Sequence, residues 1–87
     1  MYAIYQSGYA VYGVGRTPLG ALREANKWLD APVRLADLDT PSENGEVDGR
    51  FVLRRCSQAL YNEVRNSGGD VHYTIEHGEL LLAEECE

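Results

Sequence analysis

Cationic residues are scarce in this 87-residue chain. Eight lysines and arginines stand against fourteen aspartates and glutamates, a net charge of −6. Holding a nucleic-acid backbone needs clustered Lys and Arg, so the balance argues against direct nucleic-acid binding and against an anionic membrane surface. No apolar run approaches the ~18 residues of a membrane helix. The N-terminus lacks a basic segment followed by an apolar stretch, so no signal peptide is expected and the expected compartment is the cytoplasm. Cysteine is limited to Cys56 and Cys86. Neither sits in a CxxC spacing, and two scattered cysteines in a cytosolic chain read as thiols rather than a bridge. Cys86 lies among Glu84, Glu85 and Glu87, whose charge disfavours its thiolate.

Motifs that carry chemistry are also missing. Gly13-Val14-Gly15 lies ahead of a predicted helix, where backbone amides can hold a phosphate. GVGRTPLG nevertheless lacks the Gly-Lys-Ser/Thr ending of a phosphate-binding loop and the third glycine of a dinucleotide fingerprint. A strand-to-helix turn is the simpler reading. From Asp37, a calcium loop would need Gly at its sixth position and Glu at its twelfth; the chain has Ser42 and Asp48 there. His72 and His77, the only histidines, have no zinc-like spacing to Cys86. No G-x-S-x-G is found, and Ser57 reads as a helix cap rather than a nucleophile. No enzyme, metal or cofactor is expected.

What remains is a pattern of short elements in one domain. A chain of this length buries only about 60–65% of the surface its unfolded form exposes. Tyr2 to Gln6 and Tyr9 to Gly13 are rich in Tyr, Ile and Val, which favour strands, and Ser7-Gly8 suits a tight turn between them. Thr17-Pro18 starts a helix as cap and first residue. Leu19, Leu22, Ala25, Trp28 and Leu29 form its apolar stripe, with Ala21 beside them, and Ala31-Pro32 ends it. Val33, Leu35 and Leu38 suggest an extended segment before the turn-rich TPSENGEVDG, residues 40–49. Phe51-Val52-Leu53 reads as a short strand. Ser57 caps a second helix to about Asn66, with Cys56, Ala59, Leu60 and Val64 inward and Ser67-Gly68-Gly69 as its stop. Val71, Tyr73 and Ile75 alternate with His72, Thr74 and Glu76. His77-Gly78 turns the chain into a last strand, Glu79 to Ala83. The order is ββα-(β)-αββ: a single α+β domain over residues 1–87, an antiparallel sheet with both helices packed on one face.

Two features suggest binding. Four tyrosines fall within the first twelve residues: Tyr2, Tyr5, Tyr9 and Tyr12. Exposed tyrosine supplies rigid contact area with one polar tip. Tyr5 and Tyr12 share parity with the small Ala3 and Ala10, which assigns them to the outer face of the hairpin. The acids also cluster. Asp37, Asp39, Glu43, Glu46 and Asp48 lie in and around the 39–50 acidic loop, and Glu76, Glu79, Glu84, Glu85 and Glu87 form a second group. Acidic groups of this kind give solubility, and they also complement a basic partner surface. An edge strand can in addition pair with a partner strand, including that of a second copy in a homodimer.

The segment Tyr9 to Leu29, centred on GVGRTPLGALREANKWL, resembles the strand–Gly–Thr-Pro–Ala-Leu–helix signature in the N-terminal half of HicB-type antitoxins. Those proteins pair a small α/β domain with a toxin, and many add a DNA-binding segment. The resemblance spans about a quarter of the chain. No basic or helix-turn-helix segment follows here, and the C-terminal half does not resemble the antitoxin's, so DNA binding is not carried over. In type, the chain is similar to short acidic accessory proteins of phages, plasmids and integrated elements, anti-CRISPR inhibitors among them. The expected function is a non-enzymatic module that blocks a basic surface of a partner protein, through Tyr5, Tyr12, Asp37, Asp39, Glu43, Glu46 and Asp48. The alternatives are a HicB-like antitoxin or regulator, and a small enzyme with a pocket lined by Cys56 or the histidines.

Overall fold

The Tyr-, Ile- and Val-rich start of the chain pairs with itself. In the computed structural model, which describes residues 1–6, 10–29, 31–39 and 50–85, β1 (Tyr2–Gln6) runs antiparallel to β2 (Val11–Gly15). The register shifts between Ile4 and Tyr5, because Ile4 opposes Gly13 and Tyr5 opposes Val11. Tyr12 is the extra residue of this bulge. The second strand thus begins and ends two residues later than its composition suggests and takes in Gly15. The Ser7-Gly8 turn lies outside the described residues.

Helix α1 (Pro18–Asn26) starts as expected: the Thr17 hydroxyl accepts the Gly20 N–H at 3.0 Å, and Pro18 occupies the first turn. A short 3-10 turn, Leu35–Asp37, follows. β3 (Phe51–Cys56) then crosses the middle of the sheet, three residues longer than the apolar Phe51-Val52-Leu53 run. Ser57 caps α2 (Gln58–Ser67) by accepting the Leu60 N–H at 3.1 Å, and Gly68, at φ 91°, ends it. β4 (Tyr73–Glu76) and β5 (Glu79–Leu82) form the closing hairpin. His77 and Gly78 both have positive φ in its two-residue turn, as such turns require.

Among the described residues the sheet has five strands in the order β2-β1-β3-β5-β4. All pairs are antiparallel except β3–β5, which is parallel over Arg55–Cys56. The remaining length of that margin of β3 is used by Asp39. Its N–H bonds to Phe51 O, and its carbonyl accepts from Leu53. The α+β class and the element order match the sequence reading; the parallel pair was not visible in it.

The helices do not share a face. Alternation along β1 and β3 sends Ala3, Tyr5, Val52, Arg54 and Cys56 to one side and Tyr2, Ile4, Phe51 and Leu53 to the other. The first set packs with Leu60 of α2 and with Leu80. The second packs with Ala21 and Ala25 of α1 and with Leu38. The sheet is therefore covered on both sides. The one-face arrangement expected from the sequence is corrected, and the reason is that both faces of β1 and β3 are apolar and each needs a cover.

α1 lies directly on the backbone of β2. A Cβ built on Gly13 would stand 2.3 Å from Ala25 N, and one on Gly15 would stand 2.4 Å from Ala21 N. No rotamer relieves a clash between a Cβ and a backbone atom. Gly13→Ala and Gly15→Ala should each destabilise the fold by about 1–3 kcal/mol or more. In a domain of this size that lowers the melting midpoint by about 4–8 °C per kcal/mol. Gly20→Ala, where the nearest atom is the Thr17 side-chain oxygen at 3.2 Å, should change it far less. Thermal unfolding followed by circular dichroism reads all three.

Candidate protein-binding edge

The site residues expected from the sequence separate in the fold. Tyr5 is fully buried, 0% exposed, so its assignment to an outer binding face is corrected. It points into the layer under α2, where its ring meets Tyr73 edge-on at 5.1 Å. Its hydroxyl accepts from Arg54 Nε at 2.8 Å. Arg54 is itself 3% exposed and also donates from Nη1 to the Gly78 carbonyl at 3.3 Å. Parity with Ala3 placed Tyr5 correctly, but that side is covered by α2. A buried guanidinium must have its donors satisfied, which accounts for a tyrosine rather than a phenylalanine at position 5. Among the described residues no buried side-chain nitrogen or oxygen lacks a hydrogen-bond partner.

Tyr12 is half-buried on the opposite side, because the bulge carries it there with Gly13. Its hydroxyl donates to Gln6 Oε1 at 2.8 Å, and its ring stands edge-on to Phe51 at 5.6 Å. Asp37 is exposed and accepts the Arg34 N–H at 3.2 Å, which closes the 3-10 turn. Asp39 is half-buried and faces Arg50 at 3.4 Å. Glu43, Glu46 and Asp48 lie outside the described residues. The acidic segment thus has local structural uses at both of its described members.

Sequence periodicity missed the most exposed aromatic side chain among the described residues. Trp28 was placed on the inner stripe of α1, in phase with Ala21 and Ala25. It is instead 76% exposed. The helix tightens at its end: Lys27 N–H bonds to Glu24 O and Trp28 N–H to Ala25 O. The helix ends at Asn26, so Trp28 lies two residues past its last turn, beyond the stretch where Ala21 and Ala25 meet the backbone of β2. The chain beyond is then clasped by Asn26, whose side chain accepts from Val33 N–H at 2.9 Å and donates to Val33 O at 3.1 Å. Leu19, from the same predicted stripe, is 57% exposed, because α1 sits too close to the sheet for anything larger than Ala21 and Ala25 between them.

Trp28 stands beside an open groove of about 370 Å³ along the outer margin of β2, lined by Val11, Tyr12, Val64 and Asp70 among others. A neighbouring depression shares Tyr12, Trp28 and Val64 and adds Glu24 and Arg65. The groove therefore runs between the C-terminal ends of the two helices, with the sheet edge as its floor. At one end Gly69 abuts the strand and accepts the Val11 N–H at 3.1 Å. Because Val11 bonds outward, its partner Tyr5 turns its backbone groups to β3, and by alternation so does Ala3. Val14, opposite Ala3, thus directs its N–H and C=O away from β1 at the outer margin.

Neither histidine nor Cys56 lines this groove. His72 and His77 are exposed and Cys56 is buried. Among the described residues no three His, Cys, Asp or Glu side chains gather as a metal-holding group, and no helix is long and apolar enough to cross a membrane.

Tyr5→Phe should cost about 1–3 kcal/mol, since it strands a buried guanidinium donor. Tyr12→Phe should cost no more than about 0.5–1.5 kcal/mol, the net worth of one partly exposed hydrogen bond. Urea titrations of the two variants give the ordering directly.

Compared with protein-family models, curated proteins and solved structures, this chain matches none of them.

Proposed function

We propose that this chain is a non-enzymatic protein-binding module that acts by occupying a basic surface of another protein. The observation that carries the reading is Trp28, 76% exposed at the rim of an apolar groove. Tryptophan is the residue type most enriched at binding hot spots, and a large exposed aromatic beside a concave apolar surface marks an interaction site. The charge of −6 adds long-range attraction to a basic partner and repulsion from acidic ones. The mechanism is steric and electrostatic blocking. The acids Asp37, Asp39, Glu43, Glu46 and Asp48 supply attraction, and the groove supplies apolar contact. The small accessory and inhibitor proteins of mobile elements are the type of protein this reading fits.

The partner is to be isolated by pull-down from the native host and its affinity measured by calorimetry. Trp28→Ala should weaken binding by about 2 kcal/mol, roughly thirtyfold. Its effect on stability should stay within about 0.5 kcal/mol, as for other exposed positions. Changing the five acids to Asn and Gln, and raising salt, should each weaken binding as well. Asp37 and Asp39 have local contacts, so the melting midpoint of that variant is measured alongside. Affinity indifferent to both the charge changes and salt refutes the electrostatic part; affinity indifferent to Trp28→Ala refutes the assignment of the site.

A further inference from the structure

We propose that the β4–β5 hairpin is a detachable unit. It leaves β3 as one piece while β1, β2, β3 and both helices stay folded, and so brings the layer beneath α2, the buried Cys56 thiol included, to solvent. The device lies at the other end of the strand order from β2 and stands independently of the binding site at Trp28. Four observations converge on it. Among the described residues the joint between hairpin and body is the shortest in the sheet: β3 and β5 pair over two residues, Arg55 and Cys56, where β1 pairs with β3 over five and β4 with β5 over four. It is also the parallel joint, the weaker kind per residue. The hairpin is complete within itself, closed by the His77-Gly78 turn and by the bond from Ala83 N–H to His72 O. Residues 70–72, which connect it to α2, have no regular structure, whereas Gly69 just before them is bonded to Val11. The hinge thus follows directly on an anchored point.

The fourth observation is a charge at the seam. Arg54 is 3% exposed, and it bonds to the Tyr5 hydroxyl in the body and to the Gly78 carbonyl in the hairpin. Burial strips this guanidinium of hydration that opening restores, and water also takes over the carbonyl it releases. The seam therefore resists opening less than an all-apolar one. Opening gives up the full burial of Leu80, the contact of Tyr73 with Tyr5 at 5.1 Å and the bond from Ser57 N–H to Leu80 O, so the closed form dominates. The body keeps the close approach of α1 to β2, the pairing of β1 with β3, the bonds of Asp39 to β3 and the tie of Gly69 to Val11. Opening consequently costs less than global unfolding.

The test reads the whole chain by native-state hydrogen exchange and thiol labelling. An isolated hairpin is marginal in water, so its amides exchange once it leaves the sheet. The paired amides of β4 and β5 should share one protection factor, at least about tenfold below that of the amides between β1 and β3. Low urea should speed their exchange with a slope about one-fifth to one-half of that for the β1–β3 amides, because only part of the buried surface is exposed. In the Cys86→Ser variant the one remaining thiol is Cys56, and its labelling by an aromatic disulfide should match the hairpin protection within about threefold. Hairpin amides as protected as those of β1, with the same urea slope, overturn the inference, since only global unfolding then exposes them. Scattered protection factors with no urea slope also overturn it, because they mark fraying strand by strand. Cys56 labelling that follows the β1–β3 amides overturns it as well: the layer beneath α2 then stays covered until the chain unfolds.

Discussion

The contact on which the rest of this fold depends is made by atoms that are missing. Gly13 and Gly15 present no side chain to α1, and Ala21 and Ala25 present only a methyl group each. Helix backbone and strand backbone therefore meet with almost nothing between them. That closeness seals one face of the sheet using very small residues. It also leaves no room for Leu19 on the inner side. The end of α1 is held over the sheet margin, so Trp28, two residues past Asn26, comes out at the edge of β2 rather than in a core. The position of Trp28 at the rim of the groove follows from this one approach.

The opposite face is organised by polarity as well as by packing. Tyr5 and Arg54 sit beneath α2 in a layer that also holds Ala3, Val11, Val14, Val52, Cys56, Leu60 and Leu80. Their hydrogen bond links β1 to β3, and the bond from Arg54 to Gly78 reaches the turn of the last hairpin. Buried charge adds little to stability relative to a well-packed apolar alternative, but leaving it unpartnered is expensive. The pair thus penalises any register other than the native one. The amides of Cys56 and Ser57 add further ties by bonding to Met1 O and Leu80 O.

The local signals in the sequence were reliable wherever a short-range preference decides the outcome. Thr17-Pro18 and Ser57 cap helices, Gly68 ends one, and His77-Gly78 turns a hairpin, because each depends on hydrogen bonds or φ values within a few residues. Tyr5 shows the limit of alternation: parity sorts a strand into two faces but does not say which face receives a helix, and here both do. Trp28 shows the limit of helical periodicity, which does not say where the helix stops: α1 ends at Asn26, two residues before it. Glu43, Glu46 and Asp48 lie outside the described residues, so the acidic part of the expected site stands on the sequence alone.

By itself the sequence determined the α+β class, the order of the elements, their caps and turns, and the acidic charge. All of these depend on near neighbours or on composition. Only the tertiary structure decided the parallel pairing of β3 with β5, the placement of the helices on opposite faces, the burial of Tyr5 with Arg54, and the emergence of Trp28 at the margin of β2. Each is a contact between residues far apart in the chain. Such contacts are set by which surfaces must be covered and how closely two backbones can approach, and no window of sequence contains both sides of that question.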